Sequence, residues 1–226
     1  MLITRNHIII FLLSTIYLYF CYLMTGITLQ YIPYNTDVAF LGIKQQVIGM
    51  LHYRIAFFTH VYTALFVLPA GFIQFSPYVL SHFKKLHRLS GWIYTVFVLL
   101  LVAPSGFVMG IYANGGLSSQ ISFCVLALLW FYATLMAIIS ITKKDILSHR
   151  KWMIRSFALT LSAISLRAWK YILVYLFHPA PMDNYRMVAW LSWVVNLLIA
   201  EIIIFKFIHH AKINNRLVVT HSDRRL

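Results

Sequence analysis

Six stretches of this chain are each apolar for about twenty residues, and that pattern decides most of what it can fold into. A helix needs roughly 20 apolar residues to cross the ~30 Å hydrocarbon core of a bilayer. The stretches are residues 8–29, 54–75, 89–112, 121–142, 152–177 and 187–208. Inside hydrocarbon every backbone N–H and C=O must be satisfied by the protein itself, so only helices and closed barrels span. The short alternating segments of a barrel are absent. The expected fold is therefore all-α: a polytopic transmembrane bundle of six helices, one domain over residues 1–208, with a basic tail over 209–226. Composition agrees, since 61% of the residues are hydrophobic and 11% charged, against about half and a quarter in soluble domains.

The net charge of +14 would suggest nucleic acid in a soluble protein. Here Lys and Arg gather in the 82–88 loop, the 143–151 loop and the tail, and are scarce in the 113–120 and 178–186 loops. That asymmetry places the basic segments and both termini in the cytoplasm and suits anionic lipid headgroups. With no soluble domain to carry it, nucleic-acid binding is excluded; the partner is the lipid bilayer, with a membrane subunit or a second copy as a further candidate. Lys44 and Arg54 are exceptions on the outer side. The first stretch is long and lacks a small-x-small cleavage pattern before Gln30, so it reads as a retained signal anchor. After the turn residues Pro33, Asn35, Thr36 and Asp37, residues 38–51 read as an amphipathic segment lying on the outer surface. Gly115-Gly116 reads as a turn, and Ser148 as the cap of the fifth helix. Cys21 and Cys124 fall within spans and suggest neither a disulfide framework nor a thiolate metal site.

The fifth stretch carries charge where charge is costly. From His149, steps of three and four residues reach Trp152 or Ser156, then Thr160, Ala163, Arg167 and Lys170. Polar residues inside a span usually face a partner, a cavity or a ligand. Glu201 is the only acidic residue inside a span and falls near the depth of Arg155, so a buried Arg155–Glu201 ion pair is expected to offset two desolvation costs.

Three histidines stand out. His87 and His149 precede the third and fifth helices at matching depth on the cytoplasmic side. Neutral imidazoles at matching depth are the usual axial ligands of b-type haem. On this reading haem iron sits between His87 and His149, Gly91 leaves room for the flat ring, and Arg88, Arg150 and Arg155 pair with the propionates. The bland alternative leaves both histidines among headgroups, with Lys84, Lys85 and Lys151. His60 lies about 10 Å below the outer edge, and an intramembrane ionisable group is a functional candidate. A hydrogen bond to a neighbouring helix would explain it equally well. A second site class joins His60, Arg54, Arg167, Thr160 and Gln74 into an outward-facing pocket for an anionic headgroup, a quinone or haem propionates. For Lys170, snorkelling to the interface is the better account. There is no G-x-S-x-G, no phosphate-cradling Gly-rich loop, no H-E-x-x-H and no C-x-x-C-H for covalent haem.

Taken together, His60, PAGFIQF, HRLSGWIY, Gly115-Gly116, Trp130, HRKWMIRS and Arg167 resemble the bacterial membrane proteins grouped as domain-of-unknown-function family 2306, over roughly residues 40–170. The chain departs from that pattern where Pro69 precedes Gly71, in place of a Gly-Pro before Gln-Phe. The resemblance implies a multi-helix protein of the bacterial inner membrane and marks His60, His87, His149, Arg155 and Arg167; it implies no activity. A looser similarity points to cytochrome b561-like and ferric-reductase-like bundles. The functional expectation is haem-linked membrane electron transfer, so that any enzyme here is a membrane oxidoreductase. The alternatives are a non-redox protein that binds or moves a small anionic or lipid-like ligand, and an accessory subunit of a membrane complex.

Overall fold

The structure is a computed structural model that describes residues 2–222. Of residues 2–7, 9, 10, 207 and 209–222 it describes only the backbone, so the side chains of the expected basic tail lie outside the described residues. The regular elements of the described residues are all helical, in the order α1 (Leu2–Leu29), a 3-10 turn (Ala39–Ile43), α2 (Gln45–Ile48), α3 (Leu51–Gln74), α4 (Pro77–His82), α5 (Lys84–Val96), a π-helical turn (Phe97–Val102), α6 (Ala103–Ile111), α7 (Leu117–Thr142), α8 (Ile146–Thr160), α9 (Ser162–Phe177) and α10 (Pro181–Ser222). Five helical stretches are long and apolar enough to cross a membrane: Phe11–Leu29, Leu51–Gln74, Lys84–Ile111, Leu117–Thr142 and Pro181–Lys206. The pair α8 and α9, bent by 44° at Leu161, brings the number to six if it counts as one span. The all-α multi-span reading of the sequence holds. The helices begin earlier than the apolar stretches because the basic residues of 84–88 and 146–151 occupy first turns rather than loops.

Contacts divide the chain into two compact units, residues 1–131 and 132–226, with the division falling inside α7. In the first unit α1 lies along α3: the Tyr17 hydroxyl donates to the Leu68 carbonyl at 2.8 Å and its ring stacks on Phe72 at 4.7 Å. Residues 38–51, expected as an amphipathic segment, are helical in two short pieces. The 3-10 turn and α2 fold onto the start of α3, burying Leu41 and Ile48 with Tyr31, Tyr53, Phe57 and Phe58. Aromatic edges supply much of that contact, as in Tyr31 against Phe57 at 5.1 Å. Pro69 is carried inside one continuous helix. Pro104 is different: it follows the π-helical turn, where the missing N–H and the ring clash with the carbonyl of residue 100 disturb the ladder. Gly110 lets α6 touch α7, since a Cβ there would stand 3.1 Å from the Cys124 amide nitrogen. Gly115 and Gly116, with φ of 84° and 78°, form the expected turn, a backbone region that penalises other residues.

In the second unit α10 packs along α8 and α9 through small buried residues, among them Ala189, Ser192 and Ala200, which let membrane helices approach closely. The helix break at Leu161 is patched by a side chain from α10. Asn196 Nδ2 donates to the Ala158 carbonyl at 3.0 Å, and Asn196 Oδ1 accepts from Ser165 at 3.0 Å. The N-cap of α8 is Asp145, not Ser148: an Asp145 carboxylate oxygen accepts from the Ser148 amide at 2.9 Å, so Ser148 sits in the first turn.

That bond holds the Asp145 carboxyl below its ordinary value of 3.8. A depressed carboxylate stabilises the fold above its unfolded value, and the stabilisation is lost as pH falls through the folded value. Thermal unfolding should therefore show Asp145→Ala less stable than wild type at pH 7 and converging with it in acid below about pH 4. Asp145→Asn, which keeps the cap oxygen, should lie near wild type throughout.

Candidate functional site

Two histidines are held in the same way. His60, on α3, places Nδ1 2.9 Å from the Val102 carbonyl. His149, in the first turns of α8, places Nδ1 2.9 Å from the Ala137 carbonyl on α7. A carbonyl oxygen only accepts, so in each ring Nδ1 carries the proton, and in the neutral ring Nε2 keeps the lone pair. This is the tautomer an imidazole adopts when it ligates a metal, with the second nitrogen fixed by a backbone carbonyl.

The surroundings of the two differ. The Val102 carbonyl lies in the π-helical turn and also accepts from Ser105 Oγ at 3.1 Å, while Ser105 stands 3.4 Å from His60 Nδ1. Gly106 completes the seat: a Cβ there would come within 3.0 Å of His60 Cε1. His60 is thus wedged against the Pro-Ser-Gly segment of the neighbouring helix, and the hydrogen-bonded role weighed from sequence is the one seen. His149 is half-buried and has no such wedge described around it.

His87 belongs to the first unit and His149 to the second. At His87 the main chain is engaged: Gln74 Nε2 donates to the His87 carbonyl at 2.6 Å and to Ser90 Oγ at 2.5 Å. The space beside Gly91 is occupied, because Gln74 Oε1 would stand 3.2 Å from a Cβ there. The room expected for a flat ring at Gly91 is filled by this carboxamide, and Gln74 serves as a clamp between α3 and α5.

Arg155 and Glu201 are brought together as a bidentate pair, Nε to Oε1 at 2.6 Å and Nη2 to Oε2 at 2.9 Å. It is not buried as expected: the side chains are 24% and 50% exposed, because α8 and α10 meet at the flank of the unit. Arg155 also lies over the Trp152 ring at 4.6 Å. With its fork on Glu201, Arg155 is not set to receive a propionate. The residues expected to line an outward-facing pocket fall in both units, His60, Arg54 and Gln74 in the first and Thr160 and Arg167 in the second. Arg54 and Gln74 lie near opposite ends of α3, about 30 Å apart at 1.5 Å per residue. Thr160 donates to Ser156 O at 3.1 Å, and Arg167 Nη1 folds back onto Ala163 O at 2.6 Å. The bend at Leu161 separates these two residues, so the straight stripe drawn from the sequence is broken.

Sequence reasoning missed two donors to carbonyls, Gln74 and Asn196, and the buried hydroxyl pair of Thr134 and Ser156 at 2.7 Å. Polar residues isolated in apolar spans were the available signal. The seat of His60 yields a direct test. Gly106→Ala should displace the ring from the Val102 carbonyl and cost about 1–3 kcal/mol, the usual range for overpacking, read as a lowered unfolding midpoint in detergent; an unchanged midpoint would refute the wedge.

No curated protein and no solved structure matches the chain. The model of a family described as predicted membrane protein, DUF2306, matches residues 57–204. That stretch contains His60, Gln74, His87, His149, Arg155, Arg167 and Glu201, and leaves out Lys44 and Arg54. Since it covers well over half of the sequence, this chain belongs to the DUF2306 family of predicted membrane proteins.

Proposed function

We propose that this multi-pass membrane protein takes part in electron transfer and holds a b-type haem through His149. The observation that carries the reading is the Nδ1 contact of His149 with the Ala137 carbonyl. It leaves Nε2 as the ligating nitrogen of a neutral ring whose orientation is already set. Bound haem would supply one-electron chemistry at a potential tuned by its axial ligands. The protein's own part is to hold the His149 ring in one tautomer and, through the surrounding helices, to exclude water. The distribution of Lys and Arg supports a bacterial inner membrane with both termini in the cytoplasm. Within that reading the ligating histidine lies on the cytoplasmic side.

Gln74 weighs against a ring seated at Gly91. One feature favours the rival class, a non-redox site for a small anionic or lipid-like ligand. The span formed by α8 and α9 is interrupted, with Asn196 and Ser165 at the break, and interrupted spans line binding sites in membrane transporters.

Absorption spectra of the detergent-purified protein, oxidised and then reduced with dithionite, separate the classes. The haem reading expects a Soret band with reduced α and β bands, lost in His149→Ala while circular dichroism stays helical. Protein from haem-replete cells that stays colourless after added haemin overturns it. Ligand-dependent stabilisation without pigment would then select the rival, and a copurifying polypeptide the accessory-subunit reading.

A further inference from the structure

α4 and the start of α5 carry a surface that fits neither water nor hydrocarbon. The Ser76-Pro77 pair fixes where α4 begins: Ser76 Oγ accepts from the Val79 amide at 3.3 Å, and Pro77 takes the first helical position. At 1.5 Å per residue α4 is about 9 Å long and too short to cross a bilayer. It joins the spans Leu51–Gln74 and Lys84–Ile111, so it lies at the boundary where both end. No residue of α4 is buried. Tyr78, Leu80 and Phe83 are each more than half exposed, and the Tyr78 ring stacks on His82 at 4.6 Å.

α5 continues this surface. Its buried side is polar: Ser90, Tyr94 and Thr95 face the protein, and Gln74 bonds Ser90 and the His87 carbonyl. Its outward side carries Leu86, Leu89 and Trp92, all exposed, which reverses the arrangement of a helix on a soluble protein. Lys84, Lys85 and Arg88 are exposed among these apolar groups. The ion pairs of the described residues, Arg155–Glu201 and Arg186–Asp183, involve none of them. The sequence has no Asp or Glu between Asp37 and Asp145. Asp37, the one acid of the first unit, precedes the start of α3, whereas α4 follows its end. Three cations and six large apolar side chains thus share one face of the first unit, and no acid stands near them in the chain.

We propose that α4 and the first turns of α5 form a docking surface for anionic phospholipid in the leaflet they border. Lys84, Lys85 and Arg88 take the phosphate groups, and Tyr78, Leu80 and Phe83 sit among the upper acyl chains. The charge missing from the surface is negative, which selects an anionic headgroup over a zwitterionic one. Basic side chains reach phosphates while their stems lie along apolar surface, and aromatic rings settle at the same depth. Lipid is favoured over a protein partner because the ends of two spans already place this surface at the headgroups. The other described basic segment differs: in 143–151 Asp145 stands among the cations and caps α8. The surface lies within the first unit and does not rest on the haem reading.

The test uses the full chain, delipidated in detergent and returned to nanodiscs of phosphatidylcholine with a rising fraction of phosphatidylglycerol. Thermal unfolding is the readout. The expected result is a saturable rise in Tm. In the double variant Lys84→Gln/Lys85→Gln the apparent affinity for phosphatidylglycerol should fall about fivefold for each lysine removed. Leu80→Glu, which puts an acid on the surface, should weaken the response as well. Lys143→Gln/Lys144→Gln removes the same charge from the other described basic segment and should keep the wild-type response. All four lysines are exposed, so neither pair is needed for packing. A Tm indifferent to phosphatidylglycerol, or an unchanged response in Leu80→Glu, overturns the proposal. An equal loss from both lysine pairs also overturns it, since only a general attraction of positive charge would remain. A membrane polypeptide that binds wild type but not Lys84→Gln/Lys85→Gln, with the lipid response intact, would assign the surface to a protein instead.

Discussion

Side chains that donate to the main-chain carbonyls of other segments are the interaction on which the rest of this structure depends. In lipid, apolar surfaces gain little by meeting each other, so helices associate through close packing and hydrogen bonds. Tyr17 reaches Leu68 O, His60 reaches Val102 O and Gln74 reaches His87 O. Lys44 reaches Tyr112 O, His149 reaches Ala137 O and Asn196 reaches Ala158 O. Several of these acceptors sit where a helix departs from its regular ladder: the π-helical turn before Pro104, the end of α6 and the break at Leu161. There a carbonyl left by the helix would be costly in hydrocarbon, and a polar side chain from elsewhere supplies the bond. Polar residues in an apolar chain thus serve first as repairs, which moderates the usual inference from an intramembrane polar group to a function.

This also explains which parts of the structure could be read from the sequence. The spans were legible because twenty apolar residues in a row have few other uses. The Arg155–Glu201 contact was legible because a lone acid among cations has few partners. Its exposure was not, since that depends on where α8 and α10 meet. The donors to carbonyls were hidden for a simple reason: every residue has a carbonyl, so the acceptor leaves no mark in the sequence. Gln74 looked like part of a polar stripe and is a clamp. Ser148 looked like a cap because it precedes the basic segment, yet Asp145, three residues earlier, has the stronger acceptor. The stripe from His149 to Lys170 assumed a straight helix, and the 44° bend removes that assumption.

The two oriented histidines show how the same bond can mean different things. For His60 the contact with Val102 is one part of a crowded seat, closed by Ser105 and Gly106. Moving that ring would disturb the π-helical turn and the packing of α3, so its bond is needed for the fold. His149 sits within a turn of the start of α8, beside the end of α7, and is tied at Ala137 alone among the hydrogen bonds described for its ring. A structural histidine at such a place is easily replaced by any donor of similar reach. A ligating histidine is not, because it needs one nitrogen fixed and the other basic. The difference in surroundings, rather than the shared 2.9 Å contact, is therefore why the proposed haem ligand is His149 and not His60.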